Sequence, residues 1–163
     1  MKITLDFPIA ERKVEYEMKI EKIDEKNEYF NELIDYAKNC SWVAGNHLAT
    51  MLEEGVFTDW ESAFAAIVDG HIAGFCTFMK TDYYPDNKYF PWISTIFVGE
   101  EYRGKRISQC MIEAVIEYAK NCCFSHVYIP SDMTGFYEKY GFEKIDELEN
   151  YGGDIDNVFV KKV

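Results

Sequence analysis

The stretch Pro91–Ala119, PWISTIFVGEEYRGKRISQCMIEAVIEYA, joins an apolar segment to an amphipathic one through a short charged loop. The apolar segment Pro91–Gly99 is rich in β-branched and aromatic residues, which favours a strand. Beyond the loop, apolar residues recur three and four positions apart and share one face of a predicted helix: Ile107, Cys110, Met111, Ala114, Val115, Tyr118 and Ala119. Because the apolar segment Phe124–Ser131 follows, the sequence predicts a strand–helix–strand unit with parallel strands.

Four elements are predicted before this unit. They are a strand, two helices and a β-hairpin, over Val14–Asp24, Asn27–Cys40, His47–Gly55 and Ser62–Lys80 respectively. The hairpin is the firmest of the four, because its apolar strands flank Asp69-Gly70. This dipeptide favours a two-residue turn in which both φ angles are positive.

Three elements are predicted after the unit. Residues Ser131–Gly141 predict a short helix, with Ser131 or Asp132 as its N-cap, and strands follow over Phe142–Glu149 and Asn157–Val163. The order βααβββαβαββ predicts a fold of the α/β (α+β) class, with a mixed, mostly antiparallel sheet. We expect a central parallel strand pair, helices on both faces, and a single domain over residues 1–163.

The charge of the chain limits its partners. Asp and Glu number 29 against 17 Lys and Arg, which gives a formal net charge of −12. Nucleic acids and anionic membranes select basic surfaces, so we expect neither as a partner. A cationic substrate is compatible with this charge, and so is a solvated acidic surface, which is the simpler interpretation. No apolar stretch reaches membrane-spanning length and the N-terminus lacks a signal-peptide core, so the sequence predicts a cytoplasmic protein.

Cysteine and histidine spacing predicts no metal site and no disulfide framework. The five cysteines include no C-x-x-C pair, and the three histidines are scattered. We therefore expect reduced thiols that pack as small hydrophobic side chains. A thiol or redox enzyme using Cys122 and Cys123 has little support, because neither lies in an activating motif.

A compact cationic cluster stands out in this acidic chain. Arg103, Lys105 and Arg106 lie directly before the predicted helix at Ile107. A helix N-terminus already carries about half a positive charge, so three cations there are unfavourable unless an anion binds. Together with Gly104, the cluster predicts a phosphate cradle, with a solvated basic turn as the alternative. The common nucleotide fingerprints G-x-G-x-x-G and G-x-x-x-x-G-K-[ST] are both absent.

Two motifs resemble the GNAT superfamily of N-acetyltransferases. The first is a strand, TIFV, followed by a short loop and Arg103–Ser108 in the place of the superfamily's R-x-x-G-x-G/A motif. The second is FYEKYGF at Phe136–Phe142, which is similar to the superfamily's F-Y-x-K-x-G-F segment. The predicted element order also matches the GNAT fold. The chain departs from the pattern where Arg106 and Ser108 replace the two motif glycines.

The resemblance implies that acetyl-CoA is the co-substrate. The main chain of Ile96, Phe97 and Val98 would pair with the pantetheine arm. The pyrophosphate would lie on the loop and first helical turn, with charge from the basic side chains: Arg103, Gly104, Lys105, Arg106, Ile107 and Ser108. Tyr137 takes the position of the superfamily's general acid, which protonates the departing CoA thiolate. A packed core tyrosine is the alternative interpretation of Tyr137.

The acceptor is expected to be an amine. In the GNAT superfamily, loops equivalent to Gly55–Glu61, Thr81–Asn87 and Glu149–Asn157 wall the acceptor site, and here they combine carboxylates with aromatic rings. The candidate substrate-binding residues are Trp60, Asp82, Tyr83 and Tyr84. Such groups suit an ammonium ion, so a small cationic amine, a polyamine, an aminoglycoside and a protein amine all fit. No general base is identified, although Ser94, Thr95 or Asp82 could hold a water molecule.

Two classes of function follow from the sequence. The favoured class is an acetyl-CoA-dependent N-acetyltransferase acting by direct attack of the amine. The other is a catalytically silent acyl-CoA-binding or sensor domain of the same fold, which the replaced glycines suggest. A protein-amine acetyltransferase is a variant of the first class, and a homodimer is compatible with either.

Overall fold

A computed structural model describes residues 2–4, 15–86 and 88–163. These residues form eight strands and three α-helices: β1 (Lys2–Thr4), β2 (Glu15–Ile23), α1 (Phe30–Asn39), α2 (Ala44–Glu54), β3 (Ser62–Val68), β4 (His71–Met79), β5 (Trp92–Val98), α3 (Ile107–Asn121), β6 (His126–Ser131), β7 (Glu143–Glu149) and β8 (Ile155–Lys162). Two short 3₁₀ helices cover Glu100–Tyr102 and Tyr137–Tyr140. None of the helices in this described part of the chain is long and apolar enough to cross a bilayer.

The strands form one mixed sheet in the order β1-β2-β3-β4-β5-β6-β8-β7. Neighbouring strands are antiparallel except β5 and β6, which are parallel and are joined through α3. This confirms the predicted strand–helix–strand unit. Such strand–helix–strand connections are right-handed, which places α3 over one face of the sheet. The apolar side of α3 packs there into a large core, in which Met111 and Val115 are fully buried.

Helices α1 and α2 cover the opposite face. Leu33 of α1 and Leu48 of α2 are fully buried there against Phe75 and Phe97 of the sheet. A third, smaller core lies on the same face around Trp92 of β5. The predicted sheet with helices on both faces is therefore confirmed.

The turn chemistry holds as the sequence predicts. Asp69 and Gly70 connect β3 to β4 with φ angles of 49° and 82°, both positive as a type I′ turn requires. Helix α2 ends at Gly55, which caps it with φ of 63°. These two turns fix the register of the hairpin and the length of the helix that lies over it.

Two predictions about the elements are corrected. The predicted helix over Ser131–Gly141 is reduced to the 3₁₀ helix, because β6 extends to Ser131 and Gly135 adopts φ of 77°. The Ser131 side chain accepts a hydrogen bond from the Met133 N–H (3.0 Å) in a turn instead of capping a helix. The short strand β1 is absent from the sequence prediction, and it pairs antiparallel with β2. Val14, the predicted start of the first long strand, lies outside the described residues.

Candidate active site

A gap opens between β5 and β6, the only parallel neighbours in the described sheet. They are paired at Trp92 and Tyr128, where the Tyr128 N–H donates to the Pro91 oxygen (3.0 Å). Beyond this point β6 continues to pair with β8, whereas the edge of β5 that faces β6 has no further strand partner among the described residues. An exposed strand edge of this kind can bind an extended ligand through main-chain hydrogen bonds.

A β-bulge lies where β5 leaves β6. On the β4 side, Phe97 faces Phe75 and Ser94 faces Thr77, so two residues of β5 lie opposite one of β4. One of the two is Thr95, whose φ is 51°. A β-branched residue is rarely found in this left-handed region, so the bulge holds a strained backbone beside the gap.

The loop after β5 has the left-handed backbone conformation that glycine favours, although the motif glycine is replaced by Arg106. Arg106 is the N-cap residue of α3 and has φ of 58° and ψ of 24°, the left-handed conformation that glycine adopts freely. Gly104, two residues earlier, also has a positive φ of 77°. The first N–H groups of α3, from Ile107 onward, have no partner within the helix, as at any helix start. The backbone can therefore present these donors to an anion although Arg106 replaces a glycine.

The three cations of the cluster have different partners. The Arg103 Nε donates to the Val98 oxygen (3.1 Å), and its guanidinium lies 3.5 Å from the Glu100 carboxylate. The Gly99 N–H donates a hydrogen bond to β4. Because the N–H and the C=O of one trans peptide point in opposite directions, the Val98 oxygen faces the gap, and the Arg103 side chain binds it from that side. The Lys105 ammonium lies 4.6 Å from the Tyr16 ring centroid. Arg106 is exposed, and its side chain has no hydrogen bond or ion pair with any described residue.

The loop between α1 and α2 reaches the same end of β5. The Trp42 ring stacks on Phe97 with centroids 6.4 Å apart, and the guanidinium carbon of Arg103 lies 5.9 Å from the same Phe97 ring. The Ser41 hydroxyl is hydrogen-bonded to the Glu100 carboxylate. Glu100 thus contacts both the α1–α2 loop and Arg103.

Tyr137 lies beyond the end of β6 and packs in the core beneath α3. It is 7% exposed, and its ring centroid is 5.5 Å from Phe159 and 6.2 Å from Phe142. Burial raises the pKa of Tyr137 to about 12, although a hydrogen bond with Ser131 acts in the opposite direction. The phenol therefore keeps its proton at neutral pH and can donate it, which an acid requires. The ring contacts equally suit a packing role.

A polar and aromatic cluster around Tyr84 and Trp92 lies on the sheet face that α1 and α2 cover. The Tyr84 hydroxyl donates to Asp156 Oδ2 (2.7 Å), and the Asn150 side chain donates to the same oxygen (3.1 Å). Burial and this hydrogen bond raise the pKa of Tyr84 far above its ordinary value. The Tyr84 ring stacks on Trp92, whose buried indole N–H has no hydrogen-bond partner among the described residues. A buried donor of this kind marks a place that a ligand or water completes.

Buried polar groups of Asp82, Ser94 and Thr77 connect this cluster to the bulge. Burial raises the pKa of Asp82, while hydrogen bonds from the Tyr83 N–H and the Ser94 hydroxyl and the charge of His47 lower it. The Tyr83 N–H lies 2.6 Å from Asp82 Oδ1. The Thr77 hydroxyl donates to the Ser94 oxygen (3.1 Å), and both residues are buried. Nothing in the sequence singled out Thr77 or His47, because their positions depend on the sheet register and on how α2 packs.

The structure separates Trp60 from the other predicted substrate-binding residues. Its ring packs against Phe78 (5.1 Å) and Phe124 (4.8 Å) in the core of α3, and its main-chain oxygen accepts a hydrogen bond from Tyr118 (2.9 Å). Asp82, Tyr83 and Tyr84 lie on the opposite side of the sheet. The Trp60 ring therefore belongs to the core under α3 and lies apart from these three residues. Tyr83 is exposed, and its ring lies 5.3 Å from Tyr151.

Comparisons with known proteins agree with this geometry. The sequence profile of the acetyltransferase (GNAT) family matches residues 27–142. Among solved structures, the chain is similar to an aminoglycoside 6'-N-acetyltransferase complexed with coenzyme A, with a TM-score of 0.68, 16% identity, and 88% of this chain and 96% of that chain covered. It is also similar to the aminoglycoside 6'-N-acetyltransferase from Enterococcus faecium (TM-score 0.67, 16% identity, 88% and 96% covered).

A third similar structure is a GNAT family acetyltransferase from Elizabethkingia anophelis with acetyl-CoA bound. Its TM-score is 0.60 at 16% identity, with 90% of this chain and 98% of that chain covered. At these identities the likeness shows a shared fold. No curated protein sequence matches the chain.

Proposed function

Because the chain belongs to the acetyltransferase (GNAT) family, whose enzymes use acetyl-CoA as co-substrate, we propose that it acetylates the primary amine of a small, positively charged acceptor. The observation that carries this proposal is the gap where β5 leaves β6 at a bulge. The cationic loop before α3 lies at the C-terminal end of β5, and Asp82 is hydrogen-bonded to Ser94 beside the bulge.

The edge of β5 that lacks a strand partner among the described residues suits the pantetheine arm of acetyl-CoA. Main-chain groups of Ile96–Val98 would bind its amides as an added strand would. The pyrophosphate would lie on the N–H groups of Gly104–Ser108, where the left-handed backbone at Arg106 leaves the helix start accessible. Arg106 and Lys105 supply charge, and Arg103 lies at the gap end of β5.

The chemistry is direct attack by the amine. The nitrogen lone pair forms a bond to the thioester carbon, and the carbonyl oxygen becomes an oxyanion that a main-chain N–H of β5 stabilises. The carbon–sulfur bond then breaks, and the CoA thiolate takes the proton of the Tyr137 hydroxyl. Tyr137 is suited to this step because its pKa of about 12 keeps it protonated.

The pocket lined by Asp82, Tyr83 and Tyr84 would bind the acceptor. Carboxylates and aromatic faces attract ammonium groups, and the net charge of −12 draws cations from a distance. The similar solved enzymes that act on aminoglycosides support a polycationic acceptor. The buried indole N–H of Trp92 would serve an acceptor hydroxyl or an ordered water.

A silent acyl-CoA-binding domain is the second candidate, favoured by the replacement of the motif glycines with Arg106 and Ser108. A protein-amine acetyltransferase is a further variant of the proposed enzyme. A single domain over residues 1–163, a cytoplasmic location and a homodimer stay predictions from the sequence.

The deciding experiment combines calorimetric titration of acetyl-CoA with an assay of free CoA release. The assay uses a polyamine, an aminoglycoside, a lysine peptide and an acidic amino acid as acceptors. We expect binding of acetyl-CoA and CoA release with the cationic small amines. Binding without release for any amine would favour the silent domain, and absence of binding would overturn both candidates.

A further inference from the structure

One carboxylate is buried beside the reacting edge of β5. Asp82 follows β4, and its carboxylate is hydrogen-bonded to the Ser94 hydroxyl and to the Tyr83 N–H (2.6 Å). Ser94 is the last residue of β5 before the bulge, and its main-chain oxygen and hydroxyl lie 3.1 Å and 3.3 Å from the Thr77 hydroxyl. Buried polar strips of this kind are retained in an apolar core at a free-energy cost, so they point to a role in function.

We propose that Asp82 accepts the proton of the attacking amine, with Ser94 as the residue that positions its carboxylate. The inference rests on the proposed acetyl transfer and identifies the base that the sequence alone does not. Asp82 lies one hydrogen bond from the strand whose edge would hold the thioester. The same carboxylate would favour an ammonium acceptor, because a buried anion attracts a cation and can then remove its proton.

The other titratable groups near Asp82 are less suited to act as the base. The Tyr84 hydroxyl donates to Asp156, and its raised pKa keeps it protonated. One oxygen of Asp156 already accepts two hydrogen bonds, from Tyr84 and from Asn150 (3.1 Å). His47 of α2 is exposed, and it acts on Asp82 through its charge.

The environment of Asp82 tunes it as a base. Burial and the nearby negative charge of Asp156 raise its pKa, while the Tyr83 N–H, the Ser94 hydroxyl and His47 lower it. A carboxylate with a raised pKa accepts a proton more readily than an ordinary aspartate at neutral pH.

The proton and electron balance of the reaction is complete. The acceptor ammonium gives one proton to the Asp82 carboxylate, which becomes a carboxylic acid, and the freed lone pair forms the carbon–nitrogen bond. Collapse of the oxyanion breaks the carbon–sulfur bond, and the sulfur leaves with the electron pair and takes the Tyr137 proton. The amide nitrogen loses its second proton to the tyrosinate through solvent. Asp82 then returns its proton to water.

The test is the pH dependence of kcat/KM for Asp82→Asn, measured with the cationic acceptor that the wild-type protein acetylates fastest. Asn keeps the size of the side chain and one acceptor oxygen. We expect kcat/KM to fall roughly a hundredfold or more at pH 7 with unchanged acetyl-CoA affinity. The kcat/KM of the variant should rise by about tenfold per pH unit as the pH increases to the pKa of the amine, because only the neutral amine reacts without a base. Asp35→Asn, on the outer surface of α1, is the matched control.

A second variant keeps the proposal testable if Asp82→Asn does not fold. Ser94→Ala removes one hydrogen bond that stabilises the Asp82 anion, so the acid limb of kcat/KM should move to higher pH. A merely structural Ser94 would change stability without moving that limb.

The possible failures are distinguishable. Wild-type turnover with an unchanged Asp82→Asn rate, or a lost rate that higher pH does not recover, overturns the assignment of Asp82 and leaves acetyl transfer standing. Absence of CoA release by the wild-type protein with every amine overturns the proposed function and this inference with it.

Discussion

Arg103 and Arg106 lie three residues apart just before α3, yet of the two only the Arg103 side chain has polar partners among the described residues. The Arg103 side chain contacts the Val98 oxygen (3.1 Å) and the Glu100 carboxylate (3.5 Å), whereas Arg106 has no such partner among the described residues. Binding of pyrophosphate by Arg103 therefore competes with contacts already made. Arg106 can bind it without losing any.

Arg106→Ala should weaken acetyl-CoA binding more than Arg103→Ala does. A hydrogen bond to a charged group contributes about 1.5–3 kcal/mol, so we expect the dissociation constant to rise at least about tenfold for Arg106→Ala. Calorimetric titration at two salt concentrations measures this, and the loss should shrink at high salt as charges are screened. Lys120→Ala, at the far end of α3, is the control. Equal losses for the two arginine variants would contradict the distinction between them.

Arg106→Gly separates the backbone effect from the charge. Arg106 has φ of 58°, where a side chain costs about 1–2 kcal/mol relative to the right-handed region. Glycine removes that strain but adds freedom to the unfolded chain, so we expect Arg106→Gly to be about 1 kcal/mol more stable than Arg106→Ala. Chemical denaturation compares the two variants, which both lack the charge. A less stable glycine variant would show that Arg106 does not adopt this conformation in solution.

The sequence predicted what depends on local chemistry. The Asp69-Gly70 turn, the Gly55 cap and the parallel pairing of β5 with β6 follow from turn residues and hydrophobic periodicity, and all three are confirmed. The prediction of a helix over Ser131–Gly141 was wrong. The apolar residues of this segment have helical spacing, but Gly135 interrupts it with a positive φ.

The positions of the site residues depend on long-range strand pairing, which no local sequence pattern contains. Thr95 is an ordinary strand residue in sequence, and only its mismatch with β4 makes it the centre of a bulge. Trp60 looked like part of an acceptor wall, but the faces of neighbouring strands place it in the α3 core. The placement of Asp82 beside Ser94 likewise depends on long-range register, as does its charge interaction with His47.

Tyr137→Phe should lower turnover roughly a hundredfold or more while acetyl-CoA affinity stays nearly constant, because the lost hydroxyl acts on the leaving thiolate. Phenylalanine preserves the ring contacts with Phe142 and Phe159. Since the pKa of Tyr137 is about 12, the wild-type rate should show no basic limb from this group up to about pH 10. Tyr140→Phe, in the same 3₁₀ helix, is the control. Full turnover of Tyr137→Phe with chemistry rate-limiting would make Tyr137 a packing residue.

Asp82→Asn should raise the free energy of unfolding at pH 7. The pKa of Asp82 is higher in the folded protein than in the unfolded chain, so the folded state binds the proton more tightly. Stability therefore falls as pH rises from the unfolded pKa through the folded pKa, and the deficit is complete above both. The gain from Asp82→Asn should be largest at neutral pH and should vanish in acid. Urea denaturation at several pH values measures this gain over wild type. A gain that is smaller at pH 7 than in acid would contradict the raised pKa of Asp82.

The last prediction concerns acceptor charge. If the pocket of Asp82, Tyr83 and Tyr84 binds the acceptor, a cationic amine should be acetylated in preference to a neutral or anionic one of similar size. Part of the preference comes from the buried Asp82 carboxylate, which salt screens little, and part from the whole-molecule charge of −12. Raising the salt should therefore reduce the preference without abolishing it, since exposed charges more than about 8 Å apart are screened at physiological ionic strength.

The exposed ring of Tyr83, which lies beside Tyr151, should contribute to this preference for cationic acceptors. A cation over an exposed aromatic ring gains about 0.5–1 kcal/mol, so Tyr83→Ala should raise KM for a cationic acceptor about two- to fivefold with kcat preserved. The measurement compares kcat and KM for a polyamine, an aminoglycoside and an acidic amino acid at low and high salt, in wild type and variant. Because the ring acts only on a positive charge, the KM of a neutral amine should not change. A preference for the acidic amino acid, or rates with cationic acceptors that do not respond to salt, would show that the pocket does not select by charge.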